Sequence, residues 1–143
     1  MQTSKAAARN PTPEEYERAA SLRLALQEFL RRSEHVVREH GLTAERYQLL
    51  LLIRLAETRG SRATVGDLAT SLHLARSTVT QLVRRAENLR LVRRELSDRD
   101  ARIRYLVLTD EGERRLGRAV AELAEERDRL VELVSLVPVR PAC

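Results

Sequence analysis

Apolar and polar positions alternate along this chain with two different periods. From Pro13 to about His40, the residues Tyr16, Ala19, Leu22, Leu26, Phe29, Leu30, Val36 and Val37 fall at helical spacing. Thr12-Pro13-Glu14-Glu15 is a start signal for that helix. Thr12 serves as N-cap, Pro13 suits the first helical position, and Glu15 completes a capping box. Gly41 is the expected stop. A second helix opens at Thr43 and runs to about Glu57. Its apolar set, Tyr47, Leu49 through Ile53 and Leu55, covers most of the circumference. Such a helix is buried on several sides, which places it at the centre of the domain. Thr58 to Ser61 reads as a loop, and Arg62–Thr64 as a short strand.

A third, short helix follows from Thr64 to Leu74, with Val65, Leu68, Ala69 and Leu72 on its apolar side and Thr64 as N-cap. After a tight turn around Leu72–Ala75, a fourth helix runs from Arg76 to about Arg90. Val79, Leu82, Val83, Ala86 and Leu89 form one stripe on it. Opposite that stripe lie Ser77, Gln81, Arg84 and Asn88, with Thr80 and Arg85 on the flanks. The period then changes to two. Leu91–Leu96 and Ile103–Leu108 are extended runs, and the polar segment from Ser97 to Arg102 suits a turn between them. Thr109 caps the last helix, with Asp110 and Glu111 favourable at its positive end. Leu116, Val120, Leu123, Leu130, Val134 and Val137 sit at heptad-like intervals, interrupted by Arg127, as in a seam for a partner helix. From Asp110 to Val137 this helix would span roughly 42 Å, and Pro138 and Pro141 end it. It packs on the first helix of its own chain or on a second subunit; we expect both. The first helix is too long for a small domain to cover, so part of its stripe meets a second subunit.

Taken alone, the Arg76–Arg90 helix reads as a solvated amphipathic helix. Three features change that reading. The short turn makes the third and fourth helices a helix-turn-helix pair. The outward face carries Arg76, Arg84, Arg85 and Arg90 against one acid, Glu87. The hairpin that follows is basic as well. From Arg76 to Arg104 there are nine arginines and four acids, a surplus of five that equals the net charge of the whole chain. Charge segregated in this way suits a phosphate-binding surface. Ser, Thr, Gln and Arg side chains on a helix that rests on a core can reach base edges in a major groove. A basic hairpin beside such a helix can place an arginine in a minor groove. Arg99 is the candidate. Asp98 and Asp100 are expected to hold the loop and orient its arginines.

These residues carry a family resemblance. The run LARSTVTQLVRRAENLRLVRRELSDRDARIRYLVLTDEG resembles the MarR (multiple antibiotic resistance regulator) family of winged helix-turn-helix transcription factors. The STVTxLVxR helix, the LVRR entry to the wing, the DRDAR tip and the LTDEG exit occur in the family's order and spacing. The resemblance spans roughly Leu22 to Val137. It implies a mainly α fold with a small β-hairpin wing, in which long N- and C-terminal helices mediate dimerisation. In those terms, residues 1–11 are a disordered tail and residues 12–143 a single MarR-like domain. Residues 12–42 and 110–137 are the dimerisation helices, and residues 43–109 are the winged helix-turn-helix. It further implies a homodimer on a pseudo-palindromic operator in double-stranded DNA, usually acting as a repressor released by a small, often aromatic, ligand or by oxidation. The recognition helix maps onto residues 76–90 and the wing onto residues 91–108. The DNA-binding set is then Arg76, Ser77, Thr78, Thr80, Gln81, Arg84 and Arg85 from the helix, with Arg99 and Arg102 from the wing. An effector pocket between the dimerisation helices and the DNA-binding part would draw on Phe29, His35 and Tyr47. The family often has Asp or Ser where this chain has Ala75, and Asp where it has Ser97. The sequence also ends soon after the last helix, where the family adds another. That difference motivates the alternative of a protein-interaction module or heterodimer partner that keeps the fold without specific DNA binding.

Composition narrows the remaining classes. At 143 residues the chain is long enough for a real core. No apolar run approaches the roughly 20 residues of a membrane span, and the N-terminus has no hydrophobic segment of the secretory kind, so a cytoplasmic protein is expected. Lys5 is the single lysine, so nearly all the positive charge is guanidinium, which suits bidentate contacts to phosphate and guanine. The single cysteine, Cys143, is the last residue and reads as an incidental thiol, so neither a disulfide nor cysteine redox sensing near the first helix is expected. The sequence has no glycine-rich phosphate loop and no nucleophile constellation, and an enzyme is not expected. His35 and His40 are five residues apart, which does not make an i, i+4 metal pair. His73 reads as a turn residue or phosphate contact. No metal and no cofactor are expected.

Overall fold

The computed structural model describes residues 9–136. The expected tail up to Ala8, and Val137, Pro138, Pro141 and Cys143, lie outside the described residues. The element order is α1 (Pro13–Glu39), α2 (Ala44–Thr58), α3 (Val65–Leu72), α4 (Arg76–Asn88), β1 (Val92–Leu96), β2 (Arg104–Leu108), α5 (Asp110–Glu122) and α6 (Ala124–Leu136). The architecture is mainly helical with one antiparallel hairpin, as the sequence predicts. Two compact units form: residues 33–124, and the pair of segments before residue 33 and after residue 124.

Local chemistry sets the helix boundaries. At α1, Thr12 N–H donates to Glu15 Oε2 at 2.7 Å and Glu15 N–H donates to Thr12 Oγ1 at 3.2 Å, the reciprocal capping box. The helix stops where Gly41 takes φ +72 and Leu42 N–H returns to Val37 O at 2.9 Å. Thr43, Thr64 and Thr109 cap α2, α3 and α5 through their side-chain oxygens.

The 33–124 unit holds the core. Leu49, Leu50 and Ile53 of α2 are fully buried, along with Val37, Leu68, Val79, Val83, Leu91, Leu106 and Leu123. These come from every helix of the unit and from both sides of the hairpin, so α2 is the central element. The hairpin pairs Val92 with Leu108 through to Leu96 with Arg104. Ala63 bridges to Leu106, whose N–H donates to Ala63 O at 2.8 Å. The short strand expected at 62–64 is therefore a third, one-residue rung beside the wing.

Two boundaries differ from the sequence reading. The expected 76–90 helix ends at Asn88 because Arg90 adopts φ +58 and Leu91 N–H turns back to Ala86 O at 2.9 Å. Leu89, expected in the stripe, is accordingly exposed. The expected continuous 110–137 helix is divided at Leu123, where ψ is 4°, well off the helical value of about −42°. The Leu123 side chain is locked into the core of the 33–124 unit, whereas no side chain of α6 is buried among the described residues.

In the other unit, Leu22, Leu24, Leu26 and Leu30 of α1 and Val131, Leu133 and Val134 of α6 are exposed. Arg31 and Arg32 both bond the Glu28 carboxylate and hold its pKa down at about 2. Among the described residues, no helix is long and apolar enough to cross a membrane.

Candidate nucleic-acid interface

The candidate surface is built on α3, α4 and the hairpin. Between α3 and α4 the chain reverses in three residues. His73 takes the left-handed conformation, φ 54 and ψ 41, and Leu74 N–H closes onto Ala69 O at 3.1 Å. Ala75 is the N-cap of α4, and no side chain caps that end. Its first-turn N–H groups are therefore not engaged by a capping side chain.

Burial divides α4 as its pattern predicts. Val79, Val83 and Ala86 face the core, and Leu82 is half-buried. Ser77, Thr78, Gln81, Arg84, Arg85 and Asn88 are exposed on the other side. Thr80 is half-buried, and its hydroxyl donates to Arg76 O at 2.9 Å, so its proton is committed to the helix backbone. The Arg76 guanidinium folds back over α3: a Cβ on Gly66 would come 2.8 Å from Arg76 Nη2.

The wing tip is a folded loop. Ser97 Oγ accepts from Arg99 N–H at 3.2 Å and from Asp100 N–H at 3.3 Å, and Asp100 Oδ1 accepts from Arg102 N–H at 3.0 Å. Ser97 N–H donates to Ile103 O at 3.0 Å. The serine at the start of this motif thus supplies the acceptor that shapes the tip. Asp100 holds the loop, as expected, and lies 3.8 Å from the Arg102 Nε. Arg99 projects from the tip, exposed.

The electrostatics of this surface are one-sided. Among the described residues, Arg76, Arg84, Arg85, Arg90, Arg99 and Arg104 have no ion-pair partner; Arg93, Arg94 and Arg102 do. Arg94 Nε reaches Glu87 Oε1 at 3.0 Å and ties β1 to α4. On the outer face of the hairpin, Glu95 receives both Arg62 and Arg93. The sequence reading did not single out Arg62 or the Glu87–Arg94 pair. Arg62 was within reach of a period-two argument, because a strand that buries Ala63 must turn Arg62 to the opposite face.

The three effector candidates occupy different environments. Phe29 is half-buried and lines a cavity of about 230 Å³ with Ala25, Leu130 and Leu133, rimmed by charged residues. His35 is exposed and lies 3.4 Å from Glu39. Tyr47 is half-buried against the core of the 33–124 unit. Among the described residues, no group of three or more His, Cys, Asp or Glu is placed to hold a metal ion.

Residues 40–103 match a model of the MarR family. No curated protein sequence matches the chain. Among solved structures, the fold is similar to AbsC, a MarR family transcriptional regulator from Streptomyces coelicolor. That match has a TM-score of 0.72 and 25% identity, and covers 92% of this chain and 86% of that one. It is also similar to S. aureus MepR in a MepR–DNA complex, with a TM-score of 0.64 and 22% identity over 87% of this chain and 85% of that one. YusO from Bacillus subtilis gives a TM-score of 0.62 at 19% identity, covering 90% and 88% respectively.

Proposed function

We propose that the chain is a MarR family winged-helix protein: a homodimeric, sequence-specific DNA-binding transcriptional regulator of the cytoplasm, a repressor released by a small aromatic effector. In this reading each protomer lays α4 in a major groove. Ser77, Thr78, Thr80, Gln81 and Arg84 read base edges there, Arg76, Arg85 and Arg102 neutralise phosphates, and Arg99 enters the flanking minor groove.

One observation carries the reading. α4, the turn that follows it and the hairpin beside it display six exposed arginines with no ion-pair partner among the described residues. Exposed guanidinium groups without an acidic partner are ready to exchange counterions for phosphates. They flank a strip of Ser, Thr and Gln side chains whose helix is fixed by buried Val79, Val83 and Ala86. That combination gives both affinity and a means of reading sequence.

The second copy is supported by the apolar side chains that α1 and α6 leave exposed, among them Leu22, Leu26, Leu30, Val131 and Val134. A two-fold dimer presents two recognition helices to two half-sites, hence a pseudo-palindromic operator.

Fluorescence anisotropy tests the reading. The purified protein is titrated against duplexes tiling the DNA upstream of its own gene and against scrambled duplexes, over a salt series. We expect one upstream duplex to bind well above the scramble, with log K falling linearly in log salt. Equal, weak and steeply salt-dependent binding to every duplex would overturn it. A monomer in light scattering at micromolar concentration would overturn the homodimer and favour a heterodimer partner.

A further inference from the structure

We infer that Arg62 is the positioning residue of the wing: its guanidinium, stacked on Tyr105 and bonded to Glu95, fixes the angle at which the hairpin presents Arg99. The inference rests on the reading of the wing as a DNA contact.

Strand register sets up the arrangement. Glu95 and Tyr105 are direct cross-strand partners, so their side chains share one face of the hairpin. Arg94 and Leu106, one pair further from the tip, point to the opposite face, where Leu106 is buried. Ala63 bridges Leu106 and is itself buried, so its neighbour Arg62 must emerge on the face of Glu95 and Tyr105. There its Cζ lies 5.5 Å from the Tyr105 ring centroid, and its Nη1 lies 2.9 Å from Glu95 Oε2. One guanidinium therefore spans both strands, held by a cation–π contact on one and a charged hydrogen bond on the other.

The position of this contact matters more than its strength. Only the pair Leu96–Arg104 and the loop from Ser97 to Ile103 lie beyond it. The hydrogen bonds of that loop are internal. Among the described residues, Arg62 is thus the outermost bonded attachment from outside the hairpin. Two-stranded hairpins hold their shape poorly alone, so the direction of the tip depends on where the outermost attachment sits. Arg62, Tyr105, Ser97 and Arg99 also line one open cleft of about 440 Å³, which places the strap and the tip arginine on the same side of the wing. The core side of the hairpin is already fixed by buried Val92, Leu106 and Leu108. Arg62 adds orientation, not burial.

The test uses the upstream duplex and the anisotropy assay described above, with variants of the full chain. Tyr105→Leu is the informative substitution because it removes the ring without changing charge. Tyr105→Phe keeps the ring. Arg62→Gln removes the strap, and Arg99→Ala removes the group it is inferred to place. All sites are partly or fully exposed, and thermal melts confirm that each variant folds. We expect Tyr105→Leu and Arg62→Gln each to weaken binding roughly threefold, the size of an exposed cation–π contact, with Tyr105→Phe close to the parent. In the Arg99→Ala background, neither should weaken binding further. If both losses persist in full in that background, or if Tyr105→Leu binds like the parent while Arg62→Gln does not, Arg62 touches DNA or does nothing for Arg99, and the inference is wrong. If Arg99→Ala itself binds like the parent, the wing reading fails first and takes this inference with it.

Discussion

Arg94 Nε lies 3.0 Å from Glu87 Oε1, a link from β1 back to the last turn of α4. About a third of each side chain remains exposed, so solvent screens the pair. We expect Arg94→Ala and Glu87→Ala each to cost about 1 kcal/mol in urea denaturation, with a coupling of about 0.5 kcal/mol in the double-mutant cycle. Strict additivity would mean that the pair does not hold the wing to the helix. Glu87→Gln should also tighten DNA binding at low salt, because it removes the acid beside an arginine-rich surface, and the gain should fade as salt rises.

Gly112 sits where no side chain can follow. A Cβ there would come 2.1 Å from the Leu91 carbonyl oxygen, which is backbone and accepts from Thr109 N–H at 3.0 Å. Thr109 also donates its hydroxyl to Arg90 O, and Gly112 N–H donates to Thr109 Oγ1. The segment joining α4 to β1 is thereby pressed against the first turn of α5. We expect Gly112→Ala to destabilise the protein by about 3 kcal/mol, the upper part of the usual overpacking range. Gly117, with nothing near its added Cβ, is the control: Gly117→Ala should stabilise by about 0.5–1 kcal/mol through helix propensity. Urea midpoints of the two variants decide.

The contrast between these two glycines shows what the sequence could and could not convey. The starts of α1, α2, α3 and α5 were legible, because Thr12, Thr43, Thr64 and Thr109 cap through bonds that reach only three residues along the chain. The buried back of α4 and the alternation of the hairpin were legible for the same local reason. The LTDEG motif pointed to Gly112 as part of a resemblance, but the reason for glycine is a carbonyl 21 residues earlier, which no local pattern encodes. The side on which Arg62 emerges was within reach of period two, but its partners Glu95 and Tyr105 become neighbours only through strand register. The heptad-like spacing after Asp110 suggested one helix because the pattern is nearly continuous across Leu123. The break there coincides with a fully buried leucine, a tertiary setting that no local pattern encodes. The pocket trio Phe29, His35 and Tyr47 rested on no local pattern, because these residues have nothing in common along the sequence beyond lying on the first two helices.

The turn between α3 and α4 carries two improvable positions. His73 holds φ 54, a conformation that costs a residue with a Cβ about 1 kcal/mol relative to glycine. Ala75 leaves the N-terminus of α4 without a side-chain cap. We expect His73→Gly and Ala75→Ser each to raise stability by about 1 kcal/mol, read as a rise in thermal midpoint. Ala75→Asp should stabilise similarly, yet it places an anion at the end of α4 that the proposed docking turns toward phosphate. Its DNA affinity should therefore fall while that of Ala75→Ser is kept. Equal DNA affinity for the Ser and Asp variants would mean that this helix end lies away from the DNA.

The proposed division of labour between helix and wing makes a sharper demand. Gln81 and Arg84 are exposed on the side of α4 opposite Val79, Val83 and Ala86, and such side chains discriminate bases by bidentate hydrogen bonds. Gln81→Ala and Arg84→Ala should each cost about 1–3 kcal/mol on the preferred duplex and less on a duplex altered at the contacted base pair. Arg99→Ala should weaken binding across duplexes, and Arg102→Ala should do so with a reduced salt slope, as expected of a lost phosphate contact. The measurement is a matrix of these variants against single-base-pair substitutions in the duplex. If Gln81→Ala and Arg84→Ala lower affinity uniformly across that matrix, the outward face of α4 contacts the backbone, and the bases are read from elsewhere. The buried stripe bears on the same question. Val83, fully buried beneath this face, should on truncation to alanine lose stability first, by about 2 kcal/mol, with base preference unchanged in the protein that remains folded.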